Sequence, residues 1–293
     1  MSKKEGDAAE IPKPVTSLWE NWQQPDGAGP CAYCPRHWSR RDDISQEHKQ
    51  TPDNRGRGPW YAEGDFDADV VILAMEPGTK DVDSGENLNN DLERSFEQAT
   101  DDIRGVAQGT GSIERIKPLV NLLHEHDVPA YYTNTAKCNA ISESEDHSKN
   151  VESSDTKDEV HALCCGFDDR STRTYLYEEL EAIDPSVVIT LGDDALVNLL
   201  KTYGVTDPKP FNEGIIADLL ASSHESALKQ IRGYSVPFDV VSTYHPSYMT
   251  DGIPGKLKDE WEAKHGNNQN DWNRFQVCYA QFAHDFYQWY SQM

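Results

Sequence analysis

A chain of 293 residues with 37% hydrophobic and 10% aromatic side chains can bury a sizeable core, which excludes wholesale disorder and bounds the architecture at one large α/β domain or two small ones. No apolar run approaches the roughly 18 residues of a membrane span. The opening Met1-Ser2-Lys3-Lys4-Glu5-Gly6 lacks the apolar segment of a secretory leader, so the expectation is a soluble, cytoplasmic protein without a membrane partner. Charge is lopsided: 51 acidic against 27 basic residues give a net −24. Such a balance fits a protein with no polyanionic partner, or an acidic halophilic-type surface that stays hydrated in molar salt, where screening shrinks to about 3 Å.

In chain order, residues 1–30 are polar with Pro and Gly and read as a flexible arm ahead of a single domain over 31–293. Between Arg36 and Arg57 six basic residues (Arg36, Arg40, Arg41, Lys49, Arg55, Arg57) stand against four acidic ones, a local positive patch in an acidic chain. The first apolar run, Asp69 to Met75, ends at Glu76-Pro77-Gly78. Ile113, Ile116, Val120 and Leu123 have helical spacing, and Ala130-Tyr131-Tyr132-Thr133 then leads into Asn134 and Cys138. Residues 141–160, rich in Ser, Glu and Asp without periodicity, read as an inserted loop. Leu176, Leu180 and Ile183 predict a helix that Pro185 stops, and Ser186 to Leu191 is a strand ending at Gly192. A second insertion, 208–233, holds a predicted helix from Ile215 to Ile231. Phe238 to Thr243 is the last strand and runs into Tyr244-His245-Pro246. Trp272, Phe275, Tyr279, Phe282, Phe286 and Trp289 form a helical stripe that reads as core packing.

Continuous β-branched runs, rather than alternating ones, mark parallel strands covered on both faces. Their alternation with helices predicts a three-layer α/β/α sandwich around a central four-stranded parallel sheet. Such sheets bind ligands at the carboxyl ends of their strands, where Glu76, Asn134 and His245 fall.

Six cysteines stand at 31, 34, 138, 164, 165 and 278, a distribution unlike the evenly spread pairs of a small disulfide scaffold. Cys31 and Cys34 form a C-x-x-C, and its second pair, Cys138 with Cys164 or Cys165, lies more than a hundred residues downstream, too far for a zinc ribbon. Four thiolates suit a four-iron cluster or structural zinc. Cys278, inside the aromatic stripe, reads as core. His124 and His126, two apart, cannot share a helical face and make no metal site.

These pieces, taken together, resemble the uracil-DNA glycosylase superfamily, and within it the family 4 (iron–sulfur) enzymes. The resemblance runs in order from about residue 31 to 250. It is carried by Cys31 and Cys34, Met75-Glu76-Pro77-Gly78, Thr133-Asn134-Thr135-Ala136-Lys137-Cys138, Cys164/Cys165, Pro185 through Gly192, and Tyr244-His245-Pro246-Ser247. Three departures are specific, one being that the final Cys sits further from the Pro185 strand than the family's spacing predicts. The family's strand-end motif carries Glu second and a small residue third, whereas here Met75 is second and Glu76 third. The segment whose Phe stacks on the base has no clear counterpart.

The resemblance implies a monomeric DNA-repair enzyme that hydrolyses the N-glycosidic bond of uracil, or a related deaminated base, in single- or double-stranded DNA. It implies a [4Fe-4S] cluster on Cys31, Cys34, Cys138 and Cys164 (or Cys165), with zinc as the alternative. Bond cleavage passes through an oxocarbenium-like sugar, so Glu76 would hold the attacking water and favour the positive charge. His245, next to Pro246, would donate to the departing base anion. Asn134 has the donor and acceptor that the uracil edge requires. Pro77, Gly78 and Ser247 would complete the base site, and Tyr248 and Met249 would form the wedge that holds the duplex open. The rival expectation is a non-catalytic DNA-binding paralogue that keeps fold and cluster.

Overall fold

A computed structural model describes residues 63–64, 66–75, 112–135, 175–205, 229–245, 263 and 274–293. Four five-residue strands, β2 (Val70–Ala74), β3 (Ala130–Asn134), β4 (Val187–Leu191) and β6 (Asp239–Thr243), run parallel. They match the predicted runs. β2 and β4 are buried at every position, which is why their sequences show no polar alternation. Two short antiparallel strands close the edges, β1 (Glu63–Gly64) beside β3 and β5 (Lys229–Ile231) beside β6, giving the order β1-β3-β2-β4-β6-β5.

β5 corrects one expectation. Residues 229–231 do not end a helix; Gln230 pairs with Val241 and Ile231 with Val240 on the open edge of β6. Ile231 packs against the core while Arg232 beyond it is exposed, and the ladder satisfies backbone groups that the edge of β6 would otherwise leave unpaired.

Among the described residues the helices are α1 (Ser112–Glu125), α2 (Tyr175–Ile183), α3 (Asp193–Thr202) and α4 (Arg274–Tyr290). β2 steps to β3 on one side, whereas β3 returns across β2 to β4, and β4 continues to β6. Right-handed crossovers therefore put α1 on one face of the sheet and α2 and α3 on the other. α4 packs along α1, and α3 packs on β4 and α2, completing the three layers. Among the described residues of the aromatic stripe, Tyr279, Phe282 and Phe286 are fully buried, as the spacing predicts, Trp289 is partly buried against them, and Cys278 is buried beside them. Burial pushes the Cys278 thiol up to about 12.

The amino edge of the sheet is tied by Asp69, whose carboxylate accepts from Ser186 and from Tyr290 of α4. Tight turns bring α1 and α2 back into the strands that follow them, β3 and β4. Asp127 after α1 and Asp184 after α2 adopt left-handed φ of 53° and 52°, a conformation that Asp tolerates better than most residues.

Candidate functional site

The chain reverses its winding direction between β2 and β4, and the carboxyl ends of the strands at such a reversal are where open α/β sheets bind ligands. Four chain segments leave the sheet along this edge: Ala74-Met75, Asn134-Thr135, Leu191-Gly192 and Thr243-Tyr244-His245. Backbone bonds staple them in pairs just past the last ladder rung. Thr135 N–H donates to the Ala74 carbonyl at 2.9 Å, and Gly192 N–H donates to the Thr243 carbonyl at 2.8 Å.

Asn134 ends β3 opposite Ala74 in the register. It is 0% exposed, and neither its Nδ2 nor its Oδ1 has a hydrogen-bond partner among the described residues. A buried amide left unpaired costs about 1–3 kcal/mol, and folded proteins satisfy nearly all such groups. One donor and one acceptor therefore stand side by side, buried at the carboxyl edge of the sheet, with the pairing capacity for a group that presents the complementary pair.

His245 lies two residues beyond β6 and is half-buried. Its position depends on Gly192, the residue between β4 and α3. Gly192 has φ 89° and ψ 173°, a region that L side chains rarely enter, and a Cβ placed on it would meet His245 Cβ at 2.7 Å. The missing side chain lets the His245 backbone lie directly over the end of β4, at the carboxyl edge. From behind, Tyr279 of α4 donates its hydroxyl to the Tyr244 carbonyl at 2.5 Å. Tyr244 itself is buried, which pushes its phenol well above the ordinary tyrosine range. It serves as a packed support for the residue that follows.

Thr135 was not singled out by sequence reasoning. Its hydroxyl donates to the Met75 carbonyl at 2.8 Å and accepts from Asn198 Nδ2 of α3 at 3.3 Å. Three elements thus meet in one hydrogen-bonded chain at the ends of β2 and β3. A second buried polar group, equally invisible in the sequence, lies on the same helical side of the sheet. Glu179 of α2 is 2% exposed and accepts from Tyr131 Oη at 2.7 Å and Thr133 Oγ1 at 3.0 Å. Burial, and then the Glu179 carboxylate, pushes the Tyr131 hydroxyl well above its ordinary range. By strand alternation Tyr131 and Thr133 face away from Asn134, so this network braces β3 from behind rather than joining the residues at that edge. No spacing rule marks it, because a single Glu within a helix reads as solvated surface.

Of the other residues singled out in the sequence, Glu76, Pro77, Gly78, Ser247, Tyr248 and Met249 lie outside the described residues, as do the positive patch and Cys31, Cys34, Cys138, Cys164 and Cys165. Among the described residues no group of three or more His, Cys, Asp or Glu side chains could hold a metal ion. His124 is exposed at the end of α1, and His126 stacks on Tyr287 with ring centroids 3.6 Å apart. No helix among the described residues is long and apolar enough to cross a membrane.

A search of curated proteins finds no match to the chain. A family model described as the uracil DNA glycosylase superfamily matches residues 61–264, more than half of the chain and the whole of the sheet just described.

Proposed function

Since the chain belongs to the uracil DNA glycosylase superfamily, whose members act on DNA, we propose that it removes uracil, or a closely related deaminated base, by hydrolysing its N-glycosidic bond. The observation that carries this reading is Asn134: a buried, unpartnered amide at the carboxyl edge, where a base lifted out of the helix would find both its donor and its acceptor. His245, brought over the end of β4 by the missing side chain of Gly192, is the donor to the base oxygen that gains charge as the bond breaks. Glu76 lies two residues past the end of β2, a strand that borders the reversal in winding, and holds the water that attacks the sugar. Pro77, Gly78 and Ser247 complete the base site, and Tyr248 and Met249 supply the wedge into the duplex.

The subtype we propose is the iron–sulfur one, family 4, with Cys31, Cys34, Cys138 and Cys164 or Cys165 as ligands. What supports it is the order of the thiols along the chain: a C-x-x-C ahead of the first strand, then one cysteine four residues past β3 and one ahead of α2. Bound there, a [4Fe-4S] cluster would tie the N-terminal arm to the strand edge and take no part in bond cleavage. Protein purified without oxygen should contain four irons and four sulfides per chain, and Cys138→Ala should lose both. One zinc and no iron would overturn this assignment and leave the glycosylase reading standing.

Catalysis is tested with a uracil-containing oligonucleotide in low and in molar salt. The parent should release uracil, and Glu76→Gln and His245→Ala should each slow release by roughly 10²–10³-fold while leaving DNA binding nearly intact. DNA binding without release of any deaminated base would favour the non-catalytic paralogue. Full activity in the double variant would place the chemistry elsewhere.

A further inference from the structure

Asn134 raises a problem of orientation. An amide with no partner of its own is not held by hydrogen bonds, so only packing and backbone can fix the direction of its donor and acceptor. On its carboxyl side that backbone is fixed by the next residue. Thr135 N–H bonds the Ala74 carbonyl at 2.9 Å, its hydroxyl bonds the Met75 carbonyl at 2.8 Å, and Asn198 Nδ2 of α3 donates to that same hydroxyl at 3.3 Å. Thr135 and Asn198 are 5% and 7% exposed, so water does not compete for these bonds. A hydroxyl that gives its single proton to Met75 can only accept from Asn198, and the directions of both bonds are therefore determined.

We propose that the Thr135 hydroxyl, locked by Asn198, is a positioning residue that orients Asn134 for the base; this inference rests on the functional reading above. The clamp spans the ends of β2 and β3 and ties them to α3, so Asn134 emerges from a junction fixed on three sides. A buried recognition group is useful only where it is pre-aimed. A displacement of about 1 Å in such a group can cost on the order of 10²-fold in rate.

The test is a double-mutant cycle on the full chain, read as kcat/KM for uracil release from the oligonucleotide. Thr135→Val removes the hydroxyl at nearly constant volume and should lower kcat/KM about 10-fold or more, while Thr135→Ser should restore it. In an Asn134→Ala background Thr135→Val should change kcat/KM by less than about twofold, because the group it orients is gone. Asn198→Leu should repeat the pattern, and it serves where Thr135→Val folds poorly by thermal melting. An unchanged kcat/KM in a folded Thr135→Val protein overturns the inference. So does an equal loss in both backgrounds, the mark of a merely structural role. A parent that releases no uracil overturns the functional reading first and this inference with it.

Discussion

Replacing Gly192 with Ala tests the geometry that brings His245 to the carboxyl edge of the sheet. The backbone at φ 89° and ψ 173° is a conformation open to Gly and strained for Ala by about 1–3 kcal/mol. The new methyl would also stand 2.7 Å from His245 Cβ, with His245 Cα 3.5 Å away behind it. Ordinary carbon contacts begin near 3.5 Å, so one of the two segments must retreat by about 1 Å. The atom in the way sits on the backbone of the β6 extension, not at the tip of a flexible side chain, and cannot swing aside. Strain and displacement together should destabilise the protein by about 3 kcal/mol, a fall in melting temperature of roughly 6–12 °C for a domain of this class. At a temperature where the variant remains folded, uracil release should drop by about 10²-fold, the cost of moving a reacting group by that distance. Gly204 supplies the control. It too has a positive φ, 83°, but nothing lies within 4 Å of its virtual Cβ. Gly204→Ala should therefore lose stability through backbone strain alone and keep its rate. Parental melting and parental release in Gly192→Ala would refute the reasoning, and so would an equal rate loss in the two variants.

Two further outcomes follow from buried groups. Asn134→Leu, close in volume, should remove the penalty of the unpaired amide and raise stability by about 1–2 kcal/mol in denaturant titration, while abolishing uracil release; a destabilised variant would mean the amide is satisfied in the free protein. Alkaline stability should reflect Cys278, whose thiol burial moves from 9.0 to about 12. The unfolded chain gives up that proton first, so the thiol's contribution is complete below about pH 9 and is lost as pH rises toward 12; Tyr131 and Tyr244, raised from 10.0 by burial, steepen the loss above pH 10. In Cys278→Ala the denaturation midpoint should stay flat between pH 9 and 10, where that of the parent declines.

The sheet was legible because its central strands are buried on both faces and so lack polar alternation; Val70–Ala74 is apolar throughout, and Val187–Leu191 is broken only by the buried Thr190. The edge strands were not. β1 and β5 have two and three residues, too few for any period, and β5 is made by pairing with Val240 and Val241 rather than by its own sequence. At the candidate site, Asn134 and His245 were visible because each stands within two residues of the end of an apolar run, and polar residues at that boundary stand out. Thr135, Asn198 and Glu179 were not visible. A threonine just past a strand and an asparagine or glutamate in a helix are ordinary in sequence, and only the fold reveals that all three are buried and bonded across more than forty residues of chain. Gly192 was readable as a strand end, but what its hydrogen atom makes room for depends on a residue 53 positions later.

The charge balance and the carboxyl edge belong to one account. With 51 acidic against 27 basic residues, long-range attraction to a polyanion cannot supply much binding, and in molar salt the counterion-release contribution that normally dominates DNA affinity is largely lost. What salt does not weaken is a short-range hydrogen bond inside a pocket closed to water. On the proposed reading, a glycosylase of this composition depends more heavily than a basic one on the contacts made after the base has left the helix. That dependence explains why an amide should be kept buried and unsatisfied at Asn134 despite its cost, and why its backbone should be clamped through Thr135 to a neighbouring helix. A loosely held pocket could be tolerated where phosphate contacts hold the DNA in place. On the proposed reading, the residues at the carboxyl edge have to recognise the base with little help from phosphate contacts.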